Sequence, residues 1–472
     1  MSKKIIITNF GALTVMQAVQ YIVPLIVLPY LVRVVGPAKF GIISFAQAIA
    51  YYFALLPDIG TNLYAPREIA LIKESKKGLS VFVSGILMVK ILVLILTLLL
   101  YMAMISFVPQ FKKEFLVFLF STGYIIGESF IPVWFFQGIE KMVNITVGIF
   151  IIRILGLISI FAFIRQASDY VYVPLVNSIA LIIGVFFMYS RIFFREGIRP
   201  KMTSLKILGK IISESLPLFA SNVFRNLHIG MNVVVLGFFT SNTVVGYYSA
   251  AERLVKVGMG ILVQVSHVFY PYTSRMLKIS REEGVISMRK GFIAGMLLSV
   301  PATIFVITYA DVIVSVMFGG DFTQSITLLR ILGMLFLITG LSNILGMQVL
   351  LPLGKRKMFM QPVIWGFILH LVLVSFLVPW MQSVGAAIAF VSAQVAVALW
   401  MSYLVQKLSL GIVTGATGMK VTGLALGLGV FSLVSWMIGL NSLMSMGIFC
   451  TLYIFLVLVL RIVDLKTCSI VT

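Results

Sequence analysis

The sequence predicts an all-α, polytopic membrane protein with about fourteen transmembrane helices. Three observations carry this. Hydrophobic residues make up 60% of the chain and charged residues only 11%, where a soluble domain would carry about 25% charged residues. Apolar runs near 20 residues, the length that crosses a bilayer as a helix, recur from one end to the other. The basic residues between these runs alternate between dense and sparse segments, the pattern of loops that alternate between the two sides of a membrane. The net charge of +21 would suggest nucleic acid in a soluble protein, but a mean hydropathy of +1.10 assigns it to cytoplasmic loops. No nucleic-acid partner is expected; the bilayer lipids are.

The elements follow in order. The start, Met-Ser-Lys-Lys, leads into a long span with no small-residue cleavage site, so no removable signal peptide is expected. Spans fall near 7–33, 41–60, 80–107, 114–138, 143–164 and 170–190, giving an N-terminal six-helix lobe over residues 1–190. Residues 191–214 form the longest polar stretch and read as a cytoplasmic connection. A second six-helix lobe, 215–405, holds spans near 215–239, 243–270, 289–318, 324–350, 360–379 and 384–405. Gly411–Lys420 is a small-residue linker, and spans near 421–440 and 444–461 form an additional helix pair, 421–461. Pro24, Pro29, Pro57, Pro132, Pro217 and Pro301 lie inside these spans, where each removes a backbone hydrogen bond and can kink its helix.

With the N-terminus in the cytoplasm, inside segments carry 25 of the Lys and Arg residues and outside segments five. That bias puts both termini on the cytoplasmic side of the cell membrane. Residues 40–49, FGIISFAQAI, align with 245–254, VGYYSAAERL, at an offset of 205, pairing Gly41 with Gly246 and Ser44 with Ser249. Both segments open the second span of a six-span set, so the repeat is parallel, with its axis along the membrane normal.

Cations inside the spans carry the functional signal. A cation at the centre of a span costs roughly 2.5–3.5 kcal/mol on insertion scales, so it faces protein or a water-filled cavity. Arg225 sits in the middle of span 7 beside Asn222, and Arg253 and Lys256 near the middle of span 8. Ser249, Arg253, Lys256, Gly260, Gln264 and His267 follow one another at steps of 3 or 4 residues and share one helical face. Span 2 carries a matching polar face with Ser44, Gln47, Tyr51 and Asp58. Lys90 and Arg153 are further cations within spans. Such a path suits a negatively charged occupant. A local reading stands beside it: Glu252 and Lys256 are spaced i,i+4 and can pair. Glu128, the acidic residue deep in the first half, can pair with an intramembrane Arg or carry a coupling proton. Asp58 and Arg67 read as a salt bridge or gate contact.

Several classes are excluded. Cys450 and Cys468 give no disulfide framework and no metal spacing, and His267 and His370 are too scattered for a metal site. There is no Walker sequence, no nucleophile triad, and no long outside loop to hold a polymerase's acid/base pair. No enzyme activity and no cofactor are expected; an ion gradient, of protons or sodium, or substrate supply would drive transport.

Residues 28–70, LPYLVRVVGPAKFGIISFAQAIAYYFALLPDIGTNLYAPREIA, resemble the opening of polysaccharide flippases, the Wzx-type O-antigen and repeat-unit transporters of the multidrug/oligosaccharidyl-lipid/polysaccharide (MOP) exporter superfamily. The resemblance rests on Leu31, Arg33, Gly36, Phe40 and Gly41, on Asp58 and Gly60, on Arg67-Glu68-Ile69-Ala70, and on the second-half segment Gly246–Leu254. It implies a MATE-like fold of two six-helix lobes around a central cavity. It also implies a substrate of undecaprenyl-pyrophosphate-linked oligosaccharide, flipped to the outer leaflet of the inner membrane by alternating access. Polysaccharide polymerase and chain-length machinery are implied partners. Spans 13 and 14 depart from the twelve-span members and suit the lipid II flippases. A small-molecule exporter of the same superfamily is disfavoured, because drug exporters of cations want acidic cavities.

Overall fold

The structure is a computed structural model that describes residues 3–226, 230–412, 415–460, 463–464 and 469–470; of residues 3–15, 220–226, 416, 417, 463, 464, 469 and 470 it describes the backbone alone. Eleven helical stretches among the described residues are long and apolar enough to cross a membrane, and the protein is a multi-pass membrane protein. Among the described residues the regular structure is helical, apart from a two-residue antiparallel pairing of Val463–Asp464 with Ser469–Ile470 that the sequence did not announce.

The chain divides into two compact units, Met1–Gly246 and Tyr247–Thr472. The first unit contains α1 (Lys3–Leu55), α2 (Thr61–Ile72), α3 (Lys76–Phe107), α4 (Pro109–Lys112), α5 (Phe115–Phe130), α6 (Val133–Gly138), α7 (Met142–Phe163), α8 (Tyr172–Ser190), α9 (Leu205–Asn226) and α10 (Met231–Phe239). It also holds the first turn of α11 (Asn242–Ile279). The second unit continues with α11, α12 (Arg281–Thr308), α13 (Ala310–Met317), α14 (Gln324–Gly333), α15 (Leu335–Asn343), α16 (Arg356–Gln406), α17 (Gly415–Met437) and α18 (Ser442–Val459). Spans 7 and 8 begin the second lobe in the sequence reading, and α9 and α10, which carry span 7, fall in the first unit.

Two of the eleven stretches contain a turn where the sequence predicts an outer loop. α1 is interrupted at Gly36 (φ 75°), whose left-handed backbone a glycine adopts without a Cβ penalty, and Pro37 restarts the helix with its φ already set. α16 is interrupted at Gln382 (φ 49°). The six intramembrane prolines sort into two groups. Pro57 and Pro132 coincide with breaks: Leu56–Asp58 is a 3-10 turn leading to α2, and Ile131–Pro132 separates α5 from α6. Pro24, Pro29, Pro217 and Pro301 lie inside helices that run on past them.

Within the first unit, α5, α7 and α8 pack through small residues. A side chain at Gly123 would meet Ser178, at Gly127 Leu181, and at Gly148 Met188, so glycine is what lets these backbones approach in the absence of a hydrophobic driving force between membrane helices. Trp134, Phe135 and Phe136 of α6 are fully buried against Ile69, Val83, Ile86 and Met188. In the second unit, Phe292, Met296, Val349 and Met401 centre a core built by α12, α16 and the π-helical turn Ile344–Leu350. α17 and α18 attach to the flank of α12, where Tyr309 and Ser445 share a hydrogen bond of 2.7 Å and Tyr453 donates to the Leu297 carbonyl at 3.1 Å.

The polar connection is ordered rather than slack. A π turn, Arg191–Arg195, ends span 6. The chain is then strapped along α3: the Arg199 and Lys201 amides donate to Ser80 and Ser84 at 3.2 and 2.9 Å, and α9 starts at Leu205, inside the predicted connection.

The repeat has a structural counterpart inside the first unit. The first turn of the helix after Gly36 crosses the first turn of α11. A Cβ on Gly41 would collide with the Asn242 carbonyl, and one on Gly246 with the Pro37 carbonyl. Pro37 and Asn242, like Gly41 and Gly246, are separated by 205 positions. The two contacts are therefore images of one another under the offset read from the sequence.

Candidate functional site

The polar residues inside the spans form two sets, one in each unit. In the first unit Asp58, Lys90, Glu128 and Arg153 come from four helical segments. Asp58 ends the 3-10 turn and is 5% exposed. Its Oδ1 accepts from the Thr61 hydroxyl at 3.0 Å and from the Asn62 amide at 3.1 Å, satisfying a free N–H at the start of α2. Lys90, on α3, is fully buried. Its Nζ lies 3.6 Å from Asp58 Oδ1 and donates to the Ser129 carbonyl of α5 at 2.9 Å.

This changes two sequence readings. Asp58 pairs with Lys90, whereas the sequence offered Arg67; Arg67 is exposed on α2, beyond the break that separates it from Asp58. Lys90, expected among the cations that face substrate, is closed off from it here. Removing an ammonium from water is costly, and the pairing with Asp58 and Ser129 is what holds the charge in place.

Glu128 lies beside this cluster and interacts electrostatically with Arg153 first and Lys90 second. Tyr124, one turn before it on α5, interacts with Glu128, Tyr51 and Arg153. Arg153 is thus the intramembrane arginine whose charge acts most on Glu128. Arg153 is itself exposed on α7, as is Gln47 on the helix after Gly36, while Ser44 is buried one turn before Gln47.

The second unit holds the α11 set. Lys256 Nζ lies 2.9 Å from Glu252 Oε2, the i,i+4 pair the sequence suggested. Glu252 is buried, and the Lys256 side chain is 42% exposed. Arg253 is half-buried and also feels the Glu252 carboxylate. Ser249 is buried one turn before Arg253, and its hydroxyl makes no hydrogen bond among the described residues. Gln264 is half-buried and His267 exposed. The face predicted from spacing therefore runs from a buried start to an exposed end. Asn222 and Arg225 lie on the last turns of α9, but their side chains, and His228 altogether, are outside the described residues.

Sequence reasoning missed two features. The Ser129 carbonyl is a main-chain group, invisible to a reading of side chains; the available signal was Pro132, because a proline in a span leaves carbonyls of the preceding turn without donors. Gln348 was passed over as one polar residue in an apolar run. It is fully buried in the π turn of span 10, donates to the Ser266 hydroxyl at 3.1 Å, and has its Oε1 against Gly291, where any side chain would collide.

Comparison with known proteins bears on all of this. Residues 6–277 match the family described as "Polysaccharide biosynthesis protein". A protein of Escherichia coli K12 named "Putative O-antigen transporter" is 29% identical over 388 residues, covering 82% of this chain and 93% of that protein. Among solved structures, the lipid II flippase MurJ in an inward closed conformation superposes with a TM-score of 0.76 at 13% identity, over 96% of this chain and 99% of that one. An inward-facing multidrug resistance MATE transporter of the MOP superfamily gives 0.64 at 13% identity, over 85% and 99%. At these identities the structural likeness establishes the fold, which is MATE-like.

Proposed function

The chain belongs to the polysaccharide biosynthesis protein family, and from that premise we propose that it flips undecaprenyl-pyrophosphate-linked oligosaccharide repeat units from the cytoplasmic to the outer leaflet of the inner membrane. It does so by alternating access of two six-helix lobes about a central cavity, for assembly of O-antigen, capsule or another surface polysaccharide. The observation that carries this reading is the sign of the charges at membrane depth. Arg225, Arg253, Lys256, Arg153 and Lys90 outnumber Asp58, Glu128 and Glu252, and the surplus suits a polyanionic head group. Pyrophosphate oxygens accept bidentate guanidinium contacts, which strengthen as water is excluded. The name of the Escherichia coli relative points to the same substrate class.

In this reading Arg253, Arg225 and the exposed Arg153 contact the head group. Lys256 shares its charge between Glu252 and substrate, and Asn222, Ser249, Gln264 and Gln47 supply polar lining. The chain carries the lipid-linked glycan and leaves its chemistry to other proteins, a polymerase and chain-length partners at the outer face. Glu128 is the group placed to couple transport to a proton gradient.

The test is the lipid-linked glycan pool of a deletion strain. Complete, unpolymerised repeat units should accumulate on the cytoplasmic face, and return of the gene should clear them. Accumulation of lipid II in their place would mark a peptidoglycan-precursor flippase, and absence of complete units would mark a synthetic enzyme; either result overturns the proposal.

A further inference from the structure

We infer that Lys90 is a positioning residue that locks two helix breaks together, and that α2 and α6, which hang from those breaks, move as one body when the lock opens. The inference rests on the reading of the chain as a transporter and adds to it the element that moves.

The first break is costly in itself. Ile59 (φ 40°) and Gly60 (φ 78°) are both left-handed, and a β-branched residue in that region persists only where its surroundings impose it. Gly60 cannot carry a side chain, because a Cβ there would run into the Ser215 carbonyl and the Phe219 amide of α9. The second break frees a carbonyl. In an unbroken helix the Val133 amide would bond the Ser129 carbonyl, but it turns instead to Ile131 at 3.0 Å. Ser129 accepts from Lys90. The same ammonium faces Asp58, the residue that caps the start of α2. One buried cation therefore sits between the carbonyl end of α5 and the carboxylate at the amino end of α2. Charge and helix-end polarity agree at both contacts. The Ser129 hydroxyl adds a 3.4 Å bond to the Ala54 carbonyl, tying α5 to the helix that leads into the first break. Glu128 is the other charged group that faces Lys90.

Beyond the breaks, α2 and α6 are packed as a unit. Gly138 of α6 lies against Ile69 and the Pro66 carbonyl of α2 so closely that a Cβ would not fit, and Trp134, Phe135 and Phe136 are buried with Tyr64, Ala65 and Ile69, on the core they share with Val83 and Ile86 of α3 and Met188 of α8. α2 also borders a cavity of about 450 Å³ shared with α3 and α9 and lined by Tyr64, Glu68, Phe82 and Lys210. The pair thus has a closely packed contact between its members, a helix break at the start of each, and a cavity bordering α2.

The test is pulsed electron spin distance measurement on the full-length protein in lipid nanodiscs without substrate, with Cys450 and Cys468 replaced by serine. Labels at Leu71 on α2 and Phe186 on α8 report the position of the pair; labels at Leu71 and Gln137 report its rigidity. Lys90→Met should add a second distance, or at least double the width, for Leu71–Phe186 and leave Leu71–Gln137 unchanged. Lys90→Arg should keep the wild-type distribution. Asp58→Asn, which retains the acceptor for Thr61 and Asn62 but removes the charge, should give the same shift and serves where Lys90→Met fails to fold. An unchanged Leu71–Phe186 distribution overturns the lock, and spreading of Leu71–Gln137 overturns the single body. Because the readout is a distance taken without glycan, failure here is separable from failure of the flippase reading, which is read from the lipid-linked glycan pool.

Discussion

At the scale of single residues, Arg253 and Lys256 lie three positions apart on α11 around one buried carboxylate, Glu252. If Arg253 meets substrate oxygens, losing that charge-assisted contact costs about 1.5–3 kcal/mol. Arg253→Ala should then strongly reduce surface glycan at unchanged protein level, and Arg253→Lys should recover part of it, since charge survives and the planar fork does not. The 2.9 Å Glu252–Lys256 pair admits a sharper test. Lys256→Met strands a buried carboxylate, which Glu252→Gln relieves. Where Lys256 also contacts substrate, the double variant folds and remains inactive; restored glycan export in the double variant would confine Lys256 to the pair. The α11 stripe was legible because helical spacing alone puts its members on one face. What spacing could not show was depth: Ser249 is buried while Lys256 is half-exposed, because neighbouring helices cover one end of the stripe and leave the other open.

At the scale of elements, the crossing of the two repeat-related helix starts is the contact with least tolerance. Gly41 and Gly246 each meet backbone rather than a side chain that could turn aside. Gly41→Val and Gly246→Val should each destabilise by about 1–3 kcal/mol, the usual cost of overpacking. Both act on one crossing, so the double variant should cost less than the sum of the two. Thermal unfolding of the purified protein in detergent measures this, and strictly additive losses would show that the two glycines serve separate contacts. The prolines teach a related lesson. All six were visible in the sequence, yet only Pro57 and Pro132 coincide with breaks. Each removes a donor, but whether a helix continues depends on what satisfies the freed carbonyls. At Pro132 the partner comes from Lys90, 39 positions upstream of Ser129, and no local pattern contains that information.

At the scale of the whole molecule, the bias of 25 to five in basic residues fixes an expected direction through the membrane. In a background with Cys450 and Cys468 replaced by serine, Ser241→Cys should react with an impermeant thiol reagent added to intact cells, and Ser204→Cys only after the cells are opened. Both positions are exposed, so silence reports sidedness and not burial. The reverse pattern would invert the topology. The sequence by itself determined the class, the membrane segments, the turns at Gly36 and near Gln382, the internal repeat and the excess of intramembrane cations. It could do so because composition, hydropathy and helical period are local properties, and lipid demands that every spanning backbone satisfy its own hydrogen bonds. Only the tertiary structure decided which of those charges are partners. Lys90 left the set of open cations for Asp58 and Ser129. The physical reason is that a buried charge is settled by what lies within a few ångströms of it. For Lys90, on α3, those neighbours are the 3-10 turn before α2 and the end of α5, which only folding brings together.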